Sequence, residues 1–172
     1  MKVEDVKKLR EMTSLGVKDC KNALQEASGD VDKALTILRQ KGIRMMEKRQ
    51  GRVAQQGRIE SYVHFGGNLG VLVEVNCETD FVARTDVFKA FTKDIAMQVA
   101  AASPVYVSRE EIPESEAEGV KDIEAYAKQY CLLDQQFIKD SKLTIAEYLK
   151  NIVSQTGEKV VIRRFVRFVV GE

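Results

Sequence analysis

The sequence predicts an α+β fold, with an N-terminal three-helix module followed by a core of antiparallel sheet packed with helices. Three observations predict it. Apolar residues recur at helical spacing through residues 1–42. From Gly57 the period drops to two, and two alternating runs flank Gly66-Gly67-Asn68, which has the chemistry of a hairpin turn. Amphipathic helical stretches then lead to a long alternating run from Val160 to Val170, so strands mix with helices around a hairpin. The composition permits such a core: 44% of the 172 residues are apolar, close to the globular average.

Composition also narrows the function. With 27 basic and 26 acidic side chains the net charge is +1, which gives no global attraction to nucleic acid or to an anionic membrane. No run approaches the ~18 apolar residues of a membrane span. The first residues turn acidic at Glu4 and Asp5 and lack the apolar stretch of a signal peptide, so a cytoplasmic protein is expected. Cys20, Cys77 and Cys131 are odd in number and far apart, unlike a disulfide framework or a zinc site. His64 is the single histidine, so the commonest general base is available at one position only. No cofactor and no metal site is expected.

Taken in order, Val3, Val6 and Leu9 mark the first helix, and Thr13-Ser14-Leu15-Gly16 breaks it. Val17, Cys20, Leu24 and Ala27 lie on one face of the second. Asp30, after Ser28-Gly29, is placed to N-cap a third helix carrying Val31, Ala34, Leu35 and Leu38, with Gly42 as its C-terminal glycine. Residues 1–42 therefore form a docking module, with Met12, Leu15 and Gly16 as candidate partner contacts. Residues 43–56 form a basic linker. Arg39, Lys41, Arg44, Lys48, Arg49, Arg52 and Arg58 face one acid, Glu47, and read either as a solvated helix or as a contact to an acidic partner or RNA.

Residues 57–172 form the core. In the hairpin, Ile59, Ser61, Val63 and Phe65 share the core-like face of the first strand. Leu69, Val71, Val73 and Val75 share one face of the second, and Cys77 continues it as a small buried hydrophobe. Phe88, Phe91, Ile95, Val99 and Ala102 mark a helix, and Val105-Tyr106-Val107 a short edge strand. Ser108 with Glu111, Ser115 with Glu118 and Thr144 with Glu147 match the capping box. Leu143, Tyr148, Leu149, Ile152 and Val153 mark a last helix. In the terminal strand Val160, Ile162, Val166, Phe168 and Val170 share a face with Arg164, opposite Arg163, Phe165 and Arg167.

Catalytic motifs are few. Cys77 and His64 are a conceivable thiolate and base, but their alternation places them on different faces, and no third residue orients them. Gly66-Gly67-Asn68-Leu69-Gly70 joins two strands and does not open a helix, which makes it a turn and not a phosphate cradle. Arg163 to Phe168 mixes cations with aromatics, as single-strand-binding sheets do, or as a half-solvated strand does. Thr79-Asp80-Phe81-Val82 leaves two readings open. Thr79 caps a helix whose Phe81 is core, or Phe81 protrudes as a wedge for a partner's pocket beside the Asp80 charge.

The stretch Glu74-Val75-Asn76-Cys77-Glu78-Thr79-Asp80-Phe81-Val82-Ala83-Arg84 resembles the central motif of the bacterial elongation factor Ts family. Leu9-Arg10-Glu11, Asp19-Cys20-Lys21, Ala23-Leu24, Gly29-Asp30 and Leu38-Arg39 resemble that family's N-terminal ubiquitin-associated-like module. Leu132-Leu133, Phe137 to Asp140 and the terminal strand extend the resemblance over nearly the whole chain. Ser14-Leu15-Gly16 departs from the usual Gly-Ala-Gly, and Gln135-Gln136-Phe137 from Gln-Pro-aromatic. Residues 114–131 read as shortened, and the duplicated core half and coiled-coil insertion of longer members are absent, so the chain resembles the short form.

What the resemblance implies is a guanine nucleotide exchange factor, not an enzyme. Its expected partner is the translational GTPase elongation factor Tu, in the GDP-bound and nucleotide-free forms. Thr79, Asp80, Phe81 and Val82 are implied to enter near the partner's magnesium site, dislodge Mg²⁺ and promote GDP release and GTP entry. Short members are expected to act as homodimers, without direct nucleic acid or membrane contact. The rival readings are an RNA-binding protein and a ubiquitin-associated-like adapter.

Overall fold

The computed structural model describes residues 2–13 and 15–172, Met46 by its backbone alone. Ser14, part of the predicted break and of the family comparison, lies outside the described residues, as does Met1. The chain divides into two compact units, Met1–Val53 with Leu149–Lys159, and Ala54–Tyr148 with Val160–Glu172.

The first unit contains the predicted helices α1 (Val3–Thr13), α2 (Val17–Glu26) and α3 (Val31–Arg49). Their core is Leu9, Leu15, Cys20, Ala23, Leu24, Ala27, Ala34 and Leu38, lined by Val6, Val31, Leu35 and Ile37. The Asp30 carboxylate accepts from Lys33 N at 3.0 Å, the predicted N-cap. Thr13 holds the first turn: its hydroxyl donates to Leu9 O at 2.7 Å and accepts from Leu15 N at 3.3 Å. Leu15, expected to be exposed beside Met12, is 6% exposed and belongs to this core, whereas Met12 and Gly16 are exposed. Burial pushes the Cys20 thiol up, as suits a packed hydrophobe.

Gly42 does not end a helix. α3 runs through it to Arg49, so the basic residues from Arg44 to Arg49 are helical. Gly42 is buried, and a Cβ there would stand 3.0 Å from Ser154 Oγ and 3.7 Å from Lys150 O. The glycine serves the close approach of the last turns of a later helix, α8 (Ile145–Thr156), and that packing need resembles a C-terminal glycine when read from sequence alone.

The second unit is built on an antiparallel sheet ordered β1 (Gln56–Val63), β2 (Leu69–Cys77) and β5 (Val160–Val169). Helix α5 (Asp86–Ala102) lies against one face, burying Phe88, Phe91, Ile95 and Val99 over Val71, Val73, Val75 and Cys77. The valine face and the buried Cys77 are as predicted. The faces of the outer strands differ from prediction. In β1, Arg58, Glu60 and Tyr62 pair opposite Val75, Val73 and Val71, and Thr92 of α5 donates to Glu60 Oε2 at 3.4 Å. Ile59 and Val63 therefore look away from α5, 66% and 68% exposed.

In β5 a bulge reverses the alternation. Val75 pairs with Ile162 but Glu74 pairs with Arg164, so Arg163 has no residue opposite. Val160 and Ile162 are buried. Beyond the bulge Phe165 and Arg167 join their face, while Arg164, Val166, Phe168 and Val170 turn to the open side. One strand thus serves two faces that simple alternation had merged.

The segments between α5 and β5 are short. Helices α6 (Glu114–Ala117) and α7 (Ile123–Tyr130) precede a small hairpin of β3 (Gln136–Phe137) and β4 (Asp140–Thr144), and then α8. The Thr144 capping box forms in full: Glu147 Oε2 accepts from Thr144 N at 3.0 Å, and Thr144 Oγ1 accepts from Glu147 N at 3.2 Å. The other two boxes do not form. Ser108 precedes a 3₁₀ turn without capping it, and Ser115 lies inside α6, which follows Pro113. The expected edge strand at Val105–Val107 is a single bridge from Tyr106 to Cys131.

Candidate partner-binding site

The candidate site is the corner between β2 and α5. Thr79 is extended (φ −127°, ψ 155°), and its hydroxyl accepts from Val82 N at 3.4 Å, so it caps the single turn α4 (Asp80–Ala83) as the sequence predicts. Arg84 N donates to Asp80 O and Phe81 O, each at 3.2 Å. Thr85 then starts α5: its side chain accepts from Phe88 N at 3.3 Å and donates to Val82 O at 2.8 Å. Beneath the turn, the buried Cys77 thiol donates to Thr79 O at 3.1 Å. Two threonine caps one turn apart, and a thiol under the first, give a short turn the fixed geometry that an isolated turn lacks.

This corner presents its side chains unequally. Ala83 is the buried foot of the turn, and Val82 and Thr79 are half-buried. Phe81 is 80% exposed. Asp80 is partly exposed, and its carboxylate meets Arg84 Nη2 at 3.0 Å, one helical turn on. Of the two sequence readings, the cap is right and the buried Phe81 is not. The apolar residue that anchors the turn is Ala83. A large aromatic held in water on a fixed turn makes Phe81 the candidate of this corner for burial in a partner's pocket.

The structure keeps other candidates apart. Cys77 pairs with Gln56 at one end of the hairpin while His64 lies at the turn, roughly 26 Å away at the rise of a strand, so they form no catalytic pair. Among the described residues no three His, Cys, Asp or Glu side chains are grouped to hold a metal ion, and no helix is long and apolar enough to cross a membrane. Arg164 is held by Glu74 at 2.7 Å, and that hydrogen bond keeps the Glu74 carboxyl below the usual carboxylate range.

Sequence reasoning missed a buried amide pair. Gln98 Nε2 donates to Gln135 Oε1 at 3.2 Å and to Gln136 O at 3.1 Å, while Gln98 Oε1 accepts from Ile138 N at 2.9 Å. Gln135 Nε2 in turn donates to Ala102 O and Gln129 O. These bonds fasten the β3–β4 hairpin to the end of α5. The only signal was a glutamine on the apolar side of a helix.

The comparisons with known proteins concern the chain as a whole. The family model described as elongation factor TS matches residues 1–125 and 119–172. The chain belongs to the elongation factor Ts family. It is 47% identical to the elongation factor Ts of Carboxydothermus hydrogenoformans, over 97% of this chain and 88% of that protein. Identity to that of Thermoanaerobacter pseudethanolicus is also 47%, over 97% and 93%. For the Moorella thermoacetica protein it is 44%, over 98% and 94%. Membership places the chain among the elongation factors of protein biosynthesis, and its mixed fold fits. The first of these alignments runs over 190 positions against a chain of 172, so that relative carries residues this chain lacks.

One expected result concerns the turn itself. Thr79→Ala removes the cap and should lower stability by about 1 kcal/mol. Thermal melting reads the loss.

Proposed function

We propose that the chain is a guanine nucleotide exchange factor for elongation factor Tu and not an enzyme acting on a small molecule. The observation that carries this reading is Phe81, 80% exposed on a turn fixed by the Thr79 and Thr85 caps. Thr79, Asp80, Phe81 and Val82 enter the GTPase near its magnesium site. Mg²⁺ requires near-octahedral oxygen ligation and bridges nucleotide to protein, so a small displacement of its ligands weakens GDP. The Asp80 carboxylate adds a competing negative charge there, and Phe81 supplies binding energy. Coupling is reciprocal: a factor that loosens GDP is itself loosened by GDP, and GTP entry completes the exchange. Met12 and Gly16, exposed on the three-helix module, are further contacts, and Leu15 holds their turn from beneath. The factor acts in the cytoplasm, where translation takes place.

The test is release of a fluorescent GDP from elongation factor Tu on adding the chain. Acceleration at substoichiometric factor supports the reading. Release at the intrinsic rate, with tight binding that ignores nucleotide state, supports a ubiquitin-associated-like adapter instead.

The active form is a homodimer. What supports this is the open side of the sheet, where Ile59, Val63, Leu72, Val166 and Phe168 are all exposed around a shallow groove of about 270 Å³. Contiguous apolar surface of this kind on a soluble protein marks an interface. A two-fold pairing would place the same strands of both chains against each other. Light scattering at micromolar concentration should give twice the 19.4 kDa chain mass. Val166→Glu with Phe168→Glu should return it to the monomer, and a monomeric parent chain with full exchange activity would exclude the dimer.

A further inference from the structure

The basic stretch of α3 has no role in the exchange reading, and the structure gives it a definite setting within the first unit. Leu38, Lys41, Met45 and Lys48 recur along one helical face and line a groove of about 370 Å³. Its floor is Leu15, Leu38 and Met45. Its rim carries Lys41, Arg44 and Lys48, with Asp19 as the one acid among the described lining residues and Ser154 of α8 on the wall. Lys41 is engaged by Glu26 at 2.7 Å. Among the described residues Arg44 and Lys48 have no ion-pair partner, and both are exposed.

We propose that this groove docks an acidic amphipathic helical segment of a protein. Arg44 and Lys48 are four residues apart on one side of the apolar floor, a spacing of one helical turn. Carboxylates four residues apart on a helix lying in the groove meet both cations. The apolar side chains of that helix, at positions i, i+3 or i+4 and i+7, enter over Leu38 and Met45. A volume of this size is near the lower end of the ~300–1,000 Å³ range in which proteins enclose ligands, enough for a few anchoring side chains. RNA fits less well. Among the described residues no aromatic side chain lines the groove to stack a base, and an apolar floor offers nothing to a phosphate chain. The inference is separable from the exchange activity: none of its residues belongs to the Thr79–Val82 corner, and the groove shares with the module's other proposed contacts only Leu15, which is buried beneath them.

The experiment uses the full chain, isotope-labelled, and a synthetic helical peptide with leucines on one face and glutamates flanking them. Amide shifts should be confined to Leu38–Lys48, the start of α2 and the end of α8. Fluorescence anisotropy of the labelled peptide gives the affinity. Charge reversal at two exposed positions, Arg44→Glu with Lys48→Glu, should weaken binding about tenfold or more without changing the melting curve, and higher salt should weaken it too. Peptide leucines replaced by serine should abolish binding, while Phe81→Ala should leave it unchanged. The proposal is overturned if shifts map elsewhere or no peptide of this class binds. It is equally overturned if the serine peptide binds as well as the leucine one. An oligouridylate that binds the groove more tightly than the peptide would assign it to nucleic acid.

Discussion

Phe81→Ala is expected to slow factor-stimulated GDP release between ten- and a hundredfold while leaving the melting temperature of the chain almost unchanged. Burying a phenylalanine side chain in a partner contributes roughly 1.5–3 kcal/mol, and each ~1.4 kcal/mol lost from the transition state is a factor of ten. In the free chain the side chain is 80% exposed, so truncation removes little buried area, and an exposed substitution of this kind typically changes stability by less than about 0.5 kcal/mol. A core phenylalanine would behave in the opposite way, with ~3–5 kcal/mol lost on folding and unchanged exchange per folded molecule. Thermal melting beside stopped-flow GDP release separates the two. Asp80→Ala, measured in parallel, divides the effect between charge and burial. Under the proposed mechanism its defect should shrink when Mg²⁺ is chelated, because the partner's metal contact proposed to be weakened is then already gone. A Phe81→Ala defect indifferent to Mg²⁺ would leave that side chain as an anchor only.

Gly57→Ala is expected to destabilise the fold far more than its exposed position suggests. Gly57 stands opposite Asn76 near the start of β1, with φ +152°, a backbone conformation that favours glycine. A Cβ there would lie 2.2 Å from Val75 O and 2.8 Å from Asn76 Cα, and those are backbone atoms of the central strand that have no rotamer to yield. Relief requires β1 to shift from β2. Overpacking and backbone strain each cost about 1–3 kcal/mol, so the sum is about 2–6 kcal/mol. For a chain of this length each kcal/mol lowers Tm by roughly 2–4 °C. Gly70→Ala is the control. Nothing lies within 4 Å of its Cβ position, so it should be neutral or slightly stabilising. Equal melting temperatures for the two variants would mean that the close approach of β1 to β2 is not a constraint.

Much of the candidate corner's local structure was legible because its signals are local. A threonine three residues before the N–H it caps is a short-range contact, so Thr79 follows from spacing, as do Asp30 and the Thr144 box, whereas the Thr85 cap, equally local, emerged only from the structure. Other elements misled for equally physical reasons. Gly42 looks the same from sequence whether it ends a helix or lets another helix approach. Leu15 sits in a break, where exposure is the ordinary expectation, yet the Thr13 hydroxyl folds the turn back and carries it into the core.

The sequence by itself determined the three N-terminal helices, the first hairpin with its valine face, the capped turn after β2, the long helix that follows it, the terminal strand and the family to which the chain belongs. All of these rest on periodicity, on residues three or four apart, or on a contiguous motif. Tertiary structure alone decided which side of each outer strand meets α5. A period of two says that faces alternate but not which one is covered, and in β5 one unpaired residue at Arg163 exchanged them. It also decided that Ala83, and not Phe81, anchors the corner. Either residue satisfies the local pattern, and the choice rests with the sheet below: α4 packs against β1 and β2 with Ala83 buried, which leaves the aromatic in solvent.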